Sequence, residues 1–170
     1  MNLSLIGFMG TGKSSVGRFA ADQLGFTFLD TDEMIEERTG KSISQIFSQN
    51  GEPVFRALEK DLLNELATRE HLMISTGGGL AADAENLASL KSHSLVVCLW
   101  ASPESIWDRV KGQAHRPLLQ GPDPLAKIRE LLSRREPFYR QADVLVNTEQ
   151  RSIKEVAQHV VHQLQFARSR

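Results

Sequence analysis

The residues with the clearest chemistry lie near the start of the chain. Gly7-Phe8-Met9-Gly10-Thr11-Gly12-Lys13-Ser14 matches G-x-x-x-x-G-K-[ST] without a mismatch. The preceding run Leu3–Ile6 is short, apolar and strand-compatible, and the segment from Ser14 to Ala21 has helical spacing. Strand, glycine-rich loop and helix therefore follow in the order a phosphate-binding P-loop requires. Its glycines let successive backbone N–H groups turn inward toward phosphate oxygens, and the start of the helix adds its positive dipole end. Lys13 can carry a charge to the β- and γ-phosphates, and the Ser14 hydroxyl can enter the shell of a Mg²⁺ ion. A glycine-rich turn with an incidental Lys-Ser is the competing reading, and the complete motif in this setting argues against it.

A pair of carboxylates stands at Asp30-Thr31-Asp32, after the second apolar run. Asp30 is the candidate for the Mg²⁺ shell, directly or through water. Asp32 is the candidate to accept a hydrogen bond from an acceptor hydroxyl and to take its proton, or, alternatively, to cap the next helix. Thr76-Gly77-Gly78-Gly79 follows the third run, where many P-loop enzymes place an acidic metal ligand, so the metal duty shifts to Asp30. Three glycines in a row allow a small ligand to approach the backbone, although a plain flexible turn has the same composition. Arg56, Arg109, Arg116, Arg134 and Arg135 are candidates to surround a transferring phosphoryl group or to grip a carboxylate, and spacing alone does not choose among them.

These residues need a frame to hold them. Five apolar runs, Leu3–Ile6, Phe26–Leu29, Leu72–Ser75, Leu95–Trp100 and Val144–Val146, alternate with helical segments. Near-continuous hydrophobic strands separated by helices predict a three-layer α/β/α fold around a five-stranded parallel sheet. Ligands collect at the carboxyl ends of such strands, where Gly7, Asp30, Thr76 and Trp100 or Ala101 fall. Three helical pieces between Asp32 and Thr68 exceed one crossover, so an acceptor-binding insertion is expected at about 32–60. Gly40 closes the first piece, Ser42 caps the second and Gly51-Glu52-Pro53 opens the third. Lys111 to Pro124, rich in Gly and Pro, reads as a mobile lid at about 111–124, with a passive loop as the alternative.

With 170 residues, 20 Lys plus Arg and 21 Asp plus Glu, the chain has the size of a single domain over 1–170 and a net charge of −1. No excess of positive charge points to nucleic acid, and no apolar run approaches membrane-spanning length. The one cysteine, Cys98, sits in an apolar strand and reads as an inert buried thiol. A soluble protein of a reducing cytoplasm, most simply a monomer, is the expectation. The five histidines show no zinc-ligand pairing, and His159/His162 read as a surface face.

Taken together and in order, the P-loop, Asp30-Thr31-Asp32, Gly51-Glu52-Pro53-Val54-Phe55-Arg56-Ala57-Leu58-Glu59, Ser75-Thr76-Gly77-Gly78-Gly79, Arg116-Pro117-Leu118-Leu119 and Arg135-Glu136-Pro137-Phe138-Tyr139 resemble the shikimate kinases. These are small P-loop kinases related in build to the nucleoside monophosphate kinases, and the resemblance runs nearly end to end. It implies strand order 2-3-1-4-5 and transfer of a phosphoryl group from ATP, with Mg²⁺, to the 3-hydroxyl of shikimate, a step toward chorismate and the aromatic amino acids. It further implies that Asp32, Arg56, Gly78 and Arg135, with Gly77 and Gly79 beside them, contact shikimate. Ser14 and Asp30 would hold the metal, and Gly10, Thr11, Gly12, Lys13, Ser14 and Ser15 would hold the phosphates. Arg116 resembles a lid arginine closing over both substrates, and Arg109 a residue packing near adenine. Arg151 occupies the adenine-loop position, in a stretch that departs from the family by carrying Ile153 where proline is common. Two other functions remain in view: another small-metabolite kinase such as a gluconate kinase, and a nucleotide-binding regulatory module without transfer activity.

Overall fold

The computed structural model describes residues 1–113 and 120–170. Arg116 and the Pro117-Leu118-Leu119 that follow it lie outside the described residues. Five strands form one parallel sheet in the order β2-β3-β1-β4-β5, as the resemblance implied. They are β1 (Asn2–Ile6), β2 (Thr27–Asp30), β3 (Leu72–Ser75), β4 (Ser94–Trp100) and β5 (Val144–Asn147). Eight helices accompany them among the described residues: α1 (Lys13–Leu24), α2 (Thr31–Thr39), α3 (Ile43–Asn50), α4 (Glu52–Leu66), α5 (Ala84–His93), α6 (Pro103–Val110), α7 (Pro124–Tyr139) and α8 (Ile153–Arg168).

Successive strand residues point to opposite faces, so each strand supplies two cores. Leu3 and Leu5 of β1, Met73 of β3 and Val97 and Leu99 of β4 pack with Val16 and Ala20 of α1 and Val156, Val160 and Leu164 of α8. Ile6, Val96 and Cys98 turn the other way, onto Leu87 and Leu90 of α5, Ile106 of α6, and Ile128 and Tyr139 of α7. The remaining strand residues of that kind, Leu72 and Ile74, pack on Ile35, Ile46, Phe55, Leu62 and Leu66 from α2, α3 and α4. A sheet buried on both faces explains why the strands read as unbroken apolar runs. Cys98 is buried, and burial pushes its thiol up to about 12, so it stays protonated.

The inserted unit forms for local reasons. Gly40 ends α2 in the left-handed region at φ 66°. Ser42 and Gln45 form a reciprocal capping box at the start of α3, and Pro53 sits in the first turn of α4. Strand register then aligns the chemistry: Asp30 pairs with Ser75, Leu5 also pairs with Ser75, and Ile6 pairs with Cys98. The carboxyl ends of β2, β3, β1 and β4 thus form one row. No helix among the described residues is long and apolar enough to cross a membrane.

Candidate active site

Gly12 caps α1 from a left-handed conformation at φ 93°, which explains glycine at the last loop position before Lys13. The α1 cap has no side-chain bond and its first turn has no acidic residue. The N–H groups of Ser14 and Ser15, in the first turn beside the positive end of the helix dipole, are therefore placed to receive an anion. Thr11 stiffens the loop by donating its hydroxyl proton to the Phe8 carbonyl at 2.7 Å. Lys13 Nζ donates to the carbonyls of Gly7 at 2.7 Å and Phe8 at 2.9 Å, which holds the ammonium over the loop it would serve.

The two carboxylates of the Asp30-Thr31-Asp32 stretch have different duties, and the capping role weighed as the alternative for Asp32 falls to its neighbour. Asp30, not Asp32, caps α2: its Oδ1 accepts from the N–H groups of Asp32 at 3.0 Å and Glu33 at 3.1 Å. Its other oxygen accepts the Ser14 hydroxyl at 2.9 Å. Asp30 is the last residue of β2, so strand end and cap coincide and its carboxylate is aimed at α1. Relieved of capping, Asp32 stands in the first turn of α2 with Oδ1 buried and without a hydrogen-bond partner among the described residues. Burial, then repulsion from Asp30, pushes its carboxyl up to about 6, with Lys13 and Arg56 pulling the other way. Gly77 explains the crowding, because a Cβ there would lie 2.5 Å from Asp32 Oδ1. The Gly77 N–H in turn donates to the Thr31 hydroxyl at 2.9 Å.

Arg56 and Arg135 reach the glycine run from α4 and α7. A Cβ on Gly79 would lie 2.8 Å from Arg56 Nη2 and 3.4 Å from Arg135 Nη2, so both guanidinium groups meet at this one residue. Arg135 Nη1 donates to the Gly78 carbonyl at 3.1 Å, and its guanidinium carbon lies over the Phe8 ring, 5.3 Å from the ring centre. Arg56 is held from behind by Glu59 at 2.6 Å and by Glu52 at 3.3 Å. A cavity of about 350 Å³ opens here, lined by Glu52, Arg56, Gly79, Leu131, Arg135 and Phe138 among others. Two forked cations beside glycine backbone suit a small carboxylic acid.

Spacing placed Arg56 on a helix but did not reveal its support. Glu59 is fully buried, and burial pushes its carboxyl up to about 7 against the pull of Arg56. Three residues apart on one helix is an ion-pair spacing, and that was the only signal available. Because the folded value lies above the unfolded one, Glu59 favours folding at low pH, and this contribution is lost as pH rises through about 7. Glu59→Gln should therefore gain stability relative to the wild type between pH 4.5 and about 7. Urea unfolding at several pH values checks this, and a constant difference would contradict it.

At the far end of the loop, Arg109 bridges the Gly10 carbonyl at 3.1 Å and Thr148, whose hydroxyl and carbonyl accept at 3.1 and 3.3 Å. Glu149, which had no assigned role, accepts from the Ser102 N–H at 2.7 Å and the Ser105 hydroxyl at 3.0 Å, tying the segment after β5 to the start of α6. Arg151 is directed elsewhere: it donates to the Asn147 carbonyl at 3.1 Å and lies 3.3 Å from His159 Nδ1. The structure thus brings together the P-loop, Asp30, Asp32, the glycine run, Arg56 and Arg135, with Arg109 at the P-loop edge. Arg151 makes its contacts with the last residue of β5 and with α8. Tyr139 and Thr31, both bonded to the glycine run, were not singled out by sequence reasoning.

This arrangement has close parallels. The family model for shikimate kinase matches residues 9–165. A shikimate kinase of Thermodesulfovibrio yellowstonii is 44% identical over 160 residues, covering 94% of this chain and 92% of the relative. One from Thermus thermophilus is 45% identical over 163 residues, covering 95% and 89%. Among solved structures, a shikimate kinase from Acinetobacter baumannii in complex with shikimate superposes with a TM-score of 0.92 at 40% identity, covering 98% of this chain and 93% of that one. The chain belongs to the shikimate kinase family.

Proposed function

We propose that this protein transfers the γ-phosphoryl group of ATP to the 3-hydroxyl of shikimate. The observation that carries this reading is the meeting of Arg56 and Arg135 at Gly79, beside the unpartnered Asp32 oxygen and next to a complete P-loop. The P-loop N–H groups, Lys13 and Arg109 hold the nucleotide end. The helical unit α2–α4 supplies Asp32 and Arg56 to the acceptor. Arg56 and Arg135 take the acid's carboxylate, the N–H groups of the glycine run approach its ring oxygens, and Asp32 Oδ1 accepts the hydroxyl that is to be phosphorylated. That hydroxyl supplies the hydrogen-bond partner that the buried Asp32 oxygen otherwise lacks. Arg116 is assigned to the phosphates on the strength of the Arg-Pro-Leu-Leu run in which it stands.

Ser14 and Asp30 fit a magnesium ion that arrives with the nucleotide. Both offer hard oxygen, they already lie 2.9 Å apart, and such ions are commonly held by one or two protein oxygens plus phosphates. Bound there, Mg²⁺ neutralises charge on the β- and γ-phosphates.

A coupled assay of ADP release over a panel of hydroxylated acids and sugars tests the reading. Shikimate should drive turnover and gluconate should not. Turnover with gluconate alone would favour the sugar-acid kinase alternative, and ATP binding with no acceptor-dependent ADP release would favour the regulatory one. Within the same assay, Arg56→Ala or Arg135→Ala should weaken acceptor binding by ~1.5–3 kcal/mol while leaving ATP affinity nearly unchanged. Lys at either position should restore only part, because the planar fork is lost. Equal damage to both substrates would place these arginines on the nucleotide or in folding.

A further inference from the structure

The glycine run that receives the acceptor is pinned from two sides. The Gly77 N–H is taken by the buried Thr31 hydroxyl at 2.9 Å. One residue on, the Gly78 carbonyl accepts twice, from Arg135 Nη1 at 3.1 Å and from the Tyr139 hydroxyl at 2.6 Å. The N–H groups of Gly78 and Gly79, in contrast, have no hydrogen-bond partner among the described residues. Two free donors thus lie in a stretch whose other polar atoms are fastened. In a trans peptide the carbonyl of one residue and the N–H of the next point in opposite directions within one plane. There is no cis peptide bond among the described residues, so fixing the Gly78 carbonyl also fixes the Gly79 N–H.

We propose that Tyr139 is a positioning residue of the acceptor site, whose hydroxyl orients the Gly78–Gly79 peptide and, through the shared carbonyl, the Arg135 guanidinium. Tyr139 and Arg135 are four residues apart on α7, hence on the same helix face. The Tyr139 ring is anchored in the core with Phe8, Leu80 and Cys98, which gives its hydroxyl a fixed origin. Glycine without such a tether samples many backbone conformations, and ordering it on binding would cost affinity. Since its partner is a carbonyl, the hydroxyl must be the donor, and burial pushes the phenol up to about 12, so the proton is retained. A core tyrosine that merely satisfied its own hydroxyl would affect stability alone. A positioning tyrosine affects the acceptor and spares the nucleotide.

The inference rests on the acceptor site proposed above, and its test separates the two. Tyr139→Phe keeps the ring and removes the donor. In steady-state assays it should raise KM for shikimate roughly tenfold, the equivalent of one lost hydrogen bond of about 1.4 kcal/mol, while kcat and KM for ATP change by less than about twofold. An unchanged KM for shikimate, or an equal rise in both KM values, would overturn the role of Tyr139. Absence of wild-type turnover with shikimate would instead overturn the function on which it rests.

A second measurement does not depend on how well the variant folds. Tyr139 is the only tyrosine in the chain, so growth on 3-fluorotyrosine labels this hydroxyl's ring alone. Its single fluorine resonance should move when shikimate is added to the labelled protein and should respond little to an ATP analogue alone. A resonance that shikimate leaves in place would also overturn the proposal.

Discussion

Replacing Lys13 with Met is expected to lower kcat by at least about a hundredfold with the fold intact, because a cation is removed from the point where charge develops on the transferring group. The resting contacts of Lys13 sharpen this expectation. Its ammonium is held by two neutral carbonyls, at 2.7 and 2.9 Å, and γ-phosphate oxygens carrying full charge are stronger partners at the same loop. Methionine is similar in length and apolar, so it fills the nearly buried slot without a charge. Circular dichroism should be unchanged while turnover collapses. Near-normal turnover would remove the P-loop from the mechanism.

The second large effect is expected at Asp32. Asp32→Asn should reduce kcat by roughly two to four orders of magnitude, the range for loss of a positioned general base. The pH dependence is the more specific result. The carboxyl is pushed up to about 6 by burial and by Asp30, and it must be ionised to accept the hydroxyl proton. In the wild type kcat/KM should therefore fall as pH drops through about 6, about tenfold for each pH unit below it. The residual activity of Asp32→Asn should lack that limb. A limb that persists in the variant would mean that another group titrates and that Asp32 only orients the acceptor.

Much of this site was legible in the sequence because it is built from local signals. Buried parallel strands are continuous apolar runs, and β3 was readable to the residue as Leu72–Ser75. The helix stop at Gly40, the cap at Ser42 and the start of α4 at Gly51-Glu52-Pro53 follow from the conformations those residues favour. Asp30 and Asp32 show where local signals end. Two carboxylates two residues apart have the same chemistry, and only the position of the strand end decides which one caps. With β2 running through Asp30, capping falls to Asp30 and leaves Asp32 Oδ1 unpaired among the described residues.

The supporting residues were not legible because their partners are distant or because their burial is a tertiary fact. Tyr139 meets Gly78 across 61 positions of sequence, and Asn147 to Arg151 meet α6 and α8 only after the sheet is assembled. Glu59 stands at ordinary ion-pair spacing from Arg56. Nothing in that spacing says that its carboxylate is enclosed, which is the property that makes it unusual.

The most direct test of the two-arginine acid site compares shikimate with its methyl ester as acceptors for the wild type and for Arg56→Ala. The ester keeps the ring and all three hydroxyls and loses the charge that Arg56 and Arg135 are there to bind. The wild type should prefer the free acid in kcat/KM by ~1.5–3 kcal/mol, and Arg56→Ala should lose most of that preference while still releasing ADP. Equal use of acid and ester by the wild type, or a preference that survives in Arg56→Ala, would contradict the account.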